Sequence, residues 1–186
     1  MILRTLLLIA FLGGSPLIAE DRVLFNFDNA EAARQWQPVN DDVMGGRSDG
    51  RFKINKDKNM EFFGTLSLEN NGGFASLRSR EAKLGLEKDD SILIRVRGDG
   101  RDYNFRLDVP SSVSRNSYRQ SFKTKKDEWI EVMLPMEKFV ATWRGSVFPN
   151  EKFNPSNVTG MGIQLSDNKP GPFKLEVEWI KAKRPE

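Results

Sequence analysis

The chain has 186 residues, 38% of them hydrophobic and 30% charged, and its 29 Lys and Arg against 26 Asp and Glu leave a formal net charge of only +3. That length supports one domain with a proper core rather than two, and so small a charge, without a polybasic arm, gives no argument for nucleic acid as a partner. Cysteine and histidine are both absent, which excludes disulfides, thiolate nucleophiles, zinc-thiolate sites and every catalytic apparatus built on an imidazole; any enzyme here works with carboxylates, Lys, Tyr or Ser alone.

Residues 1–19 read as a targeting segment. Arg4 precedes the apolar run Leu6 to Leu12, Gly13-Gly14-Ser15-Pro16 breaks it, and Ala19 before Glu20-Asp21 marks the expected cut. The run is shorter than the roughly 20 residues that span a bilayer, so the expectation is a cleaved signal peptide, no transmembrane span afterwards, and an exported protein, periplasmic or secreted. Val23 to Phe27 then has strand character. Asp28 is placed to cap a short helix with Glu31 completing a capping box, the helix ending near Trp36 before Pro38.

From Gly50 onward the dominant period is two. Phe52 and Ile54, Met60 to Leu68, Phe74 to Arg78, Ile92 to Val96, Tyr103 to Val109, Tyr118 to Phe122, Trp129 to Leu134, Val158 to Leu165 and Phe173 to Ile180 all alternate. Gly98 to Asp102 reads as a hairpin turn between two of these runs. Nine or so strands with almost no helix predict an all-β antiparallel jelly-roll sandwich over residues 20–180. Glu137 to Asn157 is the longest irregular piece, and its aromatics Phe139, Trp143, Phe148 and Phe153 predict that it folds back onto the sandwich. Lys181 to Glu186 reads as a disordered tail.

Two loops combine Asn with a glycine pair. They are Trp36 to Ser48, with Asn40, Asp41, Asp42, Met44 and Gly45-Gly46, and Asn70 to Ser76, with Asn71 and Gly72-Gly73. Neither precedes a helix or a Gly-Lys-Ser/Thr ending, so neither grips phosphate; close backbone approach between the two loops is the expectation. Of the adjacent Asp41 and Asp42, which in an extended segment face opposite ways, one caps a turn, and the other is free to bind a metal or the hydroxyls of a sugar. Asp99 and Arg101 are placed to pair beside the hairpin, at most about 1 kcal/mol if exposed. Trp129 and Trp179 read as core or sheet-face residues, whereas Trp36 and Trp143 sit in loops where an exposed ring either stacks on a sugar, anchors a protein, or plugs an end of the sandwich.

Taken in order, Val39 to Ser48 (VNDDVMGGRS), Phe63 to Ser67 (FGTLS) with Asn70 to Ser76 (NNGGFAS), Arg97 to Tyr103 (RGDGRDY) and Trp143 to Gly145 (WRG) resemble the CIA30 family. That is the family of complex I intermediate-associated protein 30, an assembly factor for NADH:ubiquinone oxidoreductase. The resemblance runs from about Val23 to Ile180 and implies a galactose-binding-like β-sandwich. It further implies a non-enzymatic, chaperone-like role: binding a client protein or a respiratory-complex assembly intermediate through Trp36, Asn40, Asp41, Asp42, Met44, Asn71, Arg101, Tyr103, Trp143 and Arg144. Together with the export signal, it leaves room for some other exported client. No cofactor is expected, apart from a structural calcium that the fold analogy would place at Asp28 and Glu178. The alternative function is an exported carbohydrate-binding module, which requires Trp143, Trp36, Tyr103 or Tyr118 on one concave face with Asp and Asn at its rim. A hydrolase would need two cleft-facing acids about 5 to 10 Å apart, and no spacing in the chain points to them.

Overall fold

The two-residue period becomes thirteen strands, with one five-residue α-helix and four short 3-10 turns, among residues 21–185, the part of the chain that this computed structural model describes. The segment expected to be a signal peptide at 1–19 lies outside the described residues. In chain order the elements are β1 (Arg22–Asn26), α1 (Ala30–Arg34), β2 (Trp36–Asn40), β3 (Asp49–Ile54), β4 (Met60–Leu66), β5 (Ala75–Ser79), β6 (Ser91–Arg97), β7 (Asp102–Asp108), β8 (Ser117–Lys123), β9 (Trp129–Pro135), β10 (Val140–Trp143), β11 (Ser146–Phe148), β12 (Gly160–Leu165) and β13 (Gly171–Lys183).

They form two antiparallel sheets. One runs β3-β4-β13-β6-β9, with β1 taking up the flank of β13 where β4 leaves off; the other runs β11-β10-β8-β7-β12-β5-β2. Alternation decides which faces meet. Met60, Phe62 and Leu66 of β4, Ile92, Ile94 and Val96 of β6, and Leu175 and Val177 of β13 point inward from the first sheet. Tyr103, Phe105 and Leu107 of β7, Met161, Ile163 and Leu165 of β12, and Leu77 of β5 meet them from the second, all but sealed from solvent. At about 25 cal/mol per Å² of apolar surface, this interleaved layer is the main stabilising term, and it leaves both outer faces polar. The all-β sandwich expectation holds.

Four local expectations are corrected. Asn29, not Asp28, caps α1, its Oδ1 accepting the Ala32 N–H at 3.0 Å, while Glu31 turns outward to Arg34 at 3.0 Å instead of closing a capping box. The helix stops at Arg34, and Trp36 opens a strand; Pro38 is tolerated there because β2 is the edge of its sheet and an edge strand can lose a donor. Inside the supposedly irregular Glu137 to Asn157, β10 and β11 make a hairpin whose two turn residues, Arg144 (φ 47°) and Gly145 (φ 87°), have the positive φ pair that matches strand twist. That segment does fold back, with Phe153 4.3 Å from Tyr118 between ring centroids. Finally, β13 runs through Lys183 into the expected tail, because Ala182 is buried and Arg184 pairs with Asp90 at 2.8 Å.

Candidate functional site

Asp41 is fully buried and joins the two glycine-pair loops. Its Oδ1 accepts the Ser48 N–H at 2.8 Å, and its Oδ2 accepts the Ser48 hydroxyl at 2.6 Å, the Gly73 N–H at 2.6 Å and the Phe74 N–H at 3.2 Å. Burial pushes the carboxyl pKa up, but those bonds, the Ser48 hydroxyl first among them, outweigh it and hold the group below the usual carboxylate range. The glycines exist to let this happen: a Cβ on Gly46 would sit 2.4 Å from the Asp41 carboxyl, and one on Gly72 2.6 Å from Oδ2. Asn70 adds a further tie, donating to the Gly45 carbonyl at 3.2 Å. Asp42, next door, is exposed.

Between this double loop and the β10–β11 hairpin lies a groove of about 710 Å³. Val43, Met44, Asn71 and Phe74 form one rim, and Trp143 and Arg144 the other, with the Arg144 guanidinium 5.4 Å from the Trp143 ring centroid. Met44 is 60% exposed and Trp143 41%. The floor is the outer face of the seven-stranded sheet, carrying Arg78, Gln164, Arg106, Ser117, Arg119 and Thr142. None of the described residues lining the groove is acidic.

Three of those floor residues share one row of the ladder. Arg78 on β5 lies opposite Gly162 on β12, Gly162 opposite Arg106 on β7, and Arg106 opposite Arg119 on β8. Gly162 makes the row possible, since a Cβ there would sit 2.7 Å from the Leu77 carbonyl and 3.3 Å from Arg78 Cγ. Arg106 has a partner in Asp108 at 2.7 Å, but the Nε of Arg78 is buried without one among the described residues. Burial and the positive Arg106 push Arg78 down to about 10, only partly offset by Asp108; Arg119 is pushed down by burial and by Arg106. A guanidinium remains charged at neutral pH, so these shifts express charge held in a poor environment.

Of the residues expected to bind, Met44, Asn71, Trp143 and Arg144 come together in this groove. Asp42 is exposed outside the groove lining, and Trp36, Asn40, Asp41, Arg101 and Tyr103 make contacts within the fold. Trp36 is buried, 5.0 Å from Phe25 and 6.2 Å from Phe27 between ring centroids, and so lies in the core, not in an exposed loop. Asn40 donates to the Gly50 carbonyl at 3.0 Å. Arg101 meets Asp99 only through its backbone N–H, which donates to Oδ1 at 3.0 Å; its guanidinium grips Asp167 at 2.6 and 3.0 Å and reaches the carbonyls of Lys169, Gly171 and Pro172, clamping the β6–β7 turn to the β12–β13 turn. Asp99 also accepts the Tyr103 hydroxyl at 3.2 Å and the Lys174 N–H at 2.9 Å. Tyr103 is fully buried, and burial, reinforced by Asp99, drives its pKa far up.

Two further acid pairs bear on catalysis and on metal binding. Glu61 and Glu176 face each other across β4 and β13 at a shallow cleft on the opposite sheet, the arrangement a two-carboxylate hydrolase needs. Lys174 bridges them at 3.4 and 3.1 Å, Lys53 binds Glu61 at 3.1 Å, and Arg97 binds Glu176 at 2.8 Å. Burial raises the Glu176 pKa, but Arg97 and Lys174 lower it further, so it holds no proton to donate at neutral pH. Glu178 lies on β13, which pairs with β1, and Asp28 sits in the bend just beyond the end of β1; Glu178 is held by Arg95, and Asp28 accepts from the side chains of Asn26 and Asn29. No group of three acids that could hold a metal gathers among the described residues, and both carboxylates of this pair are already engaged by these partners.

The model of one protein family, described as complex I intermediate-associated protein 30 (CIA30), matches residues 25–177. The chain belongs to the CIA30 family. Complex I intermediate-associated protein 30, mitochondrial, of Mus musculus is 29% identical over 90% of this chain and 58% of its own length. A probable mitochondrial member from Caenorhabditis elegans is 27% identical over 87% of the chain and 54% of its own length. The chain thus spans a little over half the length of these curated relatives. Among solved structures, a family 11 carbohydrate-binding module from Clostridium thermocellum in complex with a β-1,3-1,4-mixed-linked tetrasaccharide superposes with a TM-score of 0.66 at 16% identity, covering 88% of this chain and 95% of the module. A second family 11 module, from the cellulase Lic26A-Cel5E of the same organism, gives 0.67 at 14% identity, over 90% of this chain and 97% of that one. These two show the fold.

The relatives also correct one expectation. Four curated CIA30 proteins that match, from mouse, two nematodes and fly, are named mitochondrial, which overturns the exported, periplasmic or secreted localisation and the exported client with it. The physical reason is plain. A cation followed by a seven-residue apolar run reports a preference for an apolar surface; it does not report which membrane receives the segment.

Sequence reading missed Arg78, Arg106, Arg119 and Gln164. Each is an outward polar position in a strand, indistinguishable alone from a solvated face. The one available signal was Gly162 between the apolar Met161 and Ile163 of β12, a mark of close approach.

Proposed function

We propose that this CIA30 chain is a non-enzymatic binding protein that takes part in building complex I, holding an assembly intermediate in the groove between the Asp41-tied loops and the Trp143 hairpin. The observation that carries the reading is the family match over residues 25–177, because it covers both rims of the groove. The site chemistry supports binding over catalysis: the lining joins exposed Met44, Trp143 and Arg144 to a polar floor, with no acid to act as general acid, base or nucleophile among its described residues.

Deleting the gene in its host and measuring assembled NADH:ubiquinone oxidoreductase on native gels tests this directly. The expected result is loss of mature enzyme with accumulation of partly built intermediates, rescued by the wild-type chain and not by a Trp143→Ala/Met44→Ala variant. Normal levels of the assembled enzyme in the deletion strain would overturn it. A second reading, carbohydrate recognition, is favoured by the exposed Trp143 ring beside the polar floor of Gln164, Ser117 and Thr142. A glycan array probed with the purified chain separates the two, since that reading requires saturable sugar binding lost in Trp143→Ala.

A further inference from the structure

Three arginines share one ladder row, and among the described residues Asp108 is the one acid paired to them. Arg106 and Arg119 lie directly opposite each other, and like charges so placed oppose sheet formation. Arg78 keeps a buried Nε without a partner among the described residues. Such a row suits an anion from outside.

We propose that the Arg78–Arg106–Arg119 row binds the carboxylates of an extended acidic segment of the protein partner, laid across the groove between Met44 and Trp143. The inference rests on the protein-binding reading above and names the chemistry of its partner. Spacing argues for several anions on one chain. Arg78 and Arg106 are two strands apart, roughly 10 Å, and Arg119 is one strand further, roughly 5 Å. A single phosphate reaches only part of that row, whereas alternate residues of an extended peptide put carboxylates roughly 7 Å apart on one face. Each guanidinium offers a planar fork that takes a carboxylate with two bonds. The rim argues for peptide over acidic sugar: exposed Met44 and Val43 are flexible or branched apolar side chains, suited to apolar residues between the carboxylates.

The test is fluorescence anisotropy of the purified chain with a short labelled peptide carrying Glu at alternate positions and Leu between them. The expected result is saturable binding that weakens as salt is raised past about 0.15 M. Binding should vanish for the matching Gln peptide and fall at least about tenfold in Arg119→Gln and in Arg78→Gln, with Arg119→Lys intermediate because it keeps the charge and loses the fork. A merely structural role predicts lower melting temperatures for the Gln variants; relief of like-charge repulsion predicts unchanged or higher ones. No binding, or equal binding of the Gln peptide, overturns the inference. Equal competition by oligogalacturonate would assign the groove to an acidic glycan, and equal competition by inorganic phosphate would reduce it to a simple anion site; either result also overturns it. Failure here is separable from failure of the assembly role: full rescue of the deletion strain by Arg78→Gln/Arg119→Gln sinks this inference alone.

Discussion

Replacing Asp41 by Asn changes one oxygen to an amide group and nothing in shape, so its effect isolates the charge and the hydrogen bonds. The less costly orientation puts the amide nitrogen where Oδ1 was, facing the Ser48 N–H at 2.8 Å. One buried donor then lacks an acceptor, a loss of about 1–3 kcal/mol. The three bonds at the other oxygen lose their charge assistance, falling from about 1.5–3 to about 0.5–1.5 kcal/mol each. The Ser48 hydroxyl loses least, because it can turn to the Ser67 carbonyl at 3.2 Å. Since these bonds share one group and do not add, the total is about 3–5 kcal/mol, or about 6–20 °C of melting temperature for a domain of this size. Because the folded Asp41 pKa is held below its unfolded value, its stabilisation is fully present above about pH 3.9 and is lost as pH falls through the lowered folded value. Thermal melts of the two proteins from neutral to acid pH should therefore show the full gap at pH 7 and a shrinking one below about pH 4. A variant melting within about 2 °C of wild type at pH 7, or a gap that persists in acid, would refute this account of the loops.

Other expectations follow the same logic. Gly46→Ala drives a methyl group into the Asp41 carboxyl, so it should destabilise, and its cycle with Asp41→Asn should be strongly non-additive in thermal melts. Arg101→Ala strands the nearly buried Asp167 carboxylate; a loss of about 3–5 kcal/mol is expected by denaturant titration, and a loss under about 1 kcal/mol would show that the turn clamp is ornamental. Trp143→Ala, at a 41% exposed position, should leave stability within about 0.5 kcal/mol while weakening capture of the partner by about thirtyfold, the scale of a central interface residue at about 2 kcal/mol. Unchanged capture would place the partner elsewhere on the surface.

Strand alternation was legible because each inward residue is locally apolar: Phe62, Ile94 and Phe105 announce their faces without knowledge of their neighbours. Trp36 was misread because Ala30 to Arg34 has helical composition and Pro38 looks like a stop, and the edge position of β2 that excuses Pro38 is a fact of topology. The β10–β11 hairpin was hidden because its strands are too short to establish a period, although Arg144-Gly145 carried its turn. The site divided in the same way. The loops announced themselves through Asn and Gly, yet nothing in Asp41-Asp42 says which carboxyl is buried; that depends on Gly73 and Phe74, some thirty residues on. The arginine row was invisible because register, not sequence, brings positions 78, 106 and 119 into line.

The thirteen-residue β13 has a consequence for the order of events in folding. It pairs with β4, β6 and β1, and without it the six-stranded sheet is two detached ladders, β3–β4 and β6–β9, and a lone β1. Every partner precedes it, so a nascent chain emerging up to Lys169 has half of the sandwich unclosed and its apolar inner face bare. Closure waits on contacts between residues 22 and 182, a separation that makes for slow folding. Until then the chain exposes the apolar face that the finished sandwich hides, the condition under which partly folded chains aggregate.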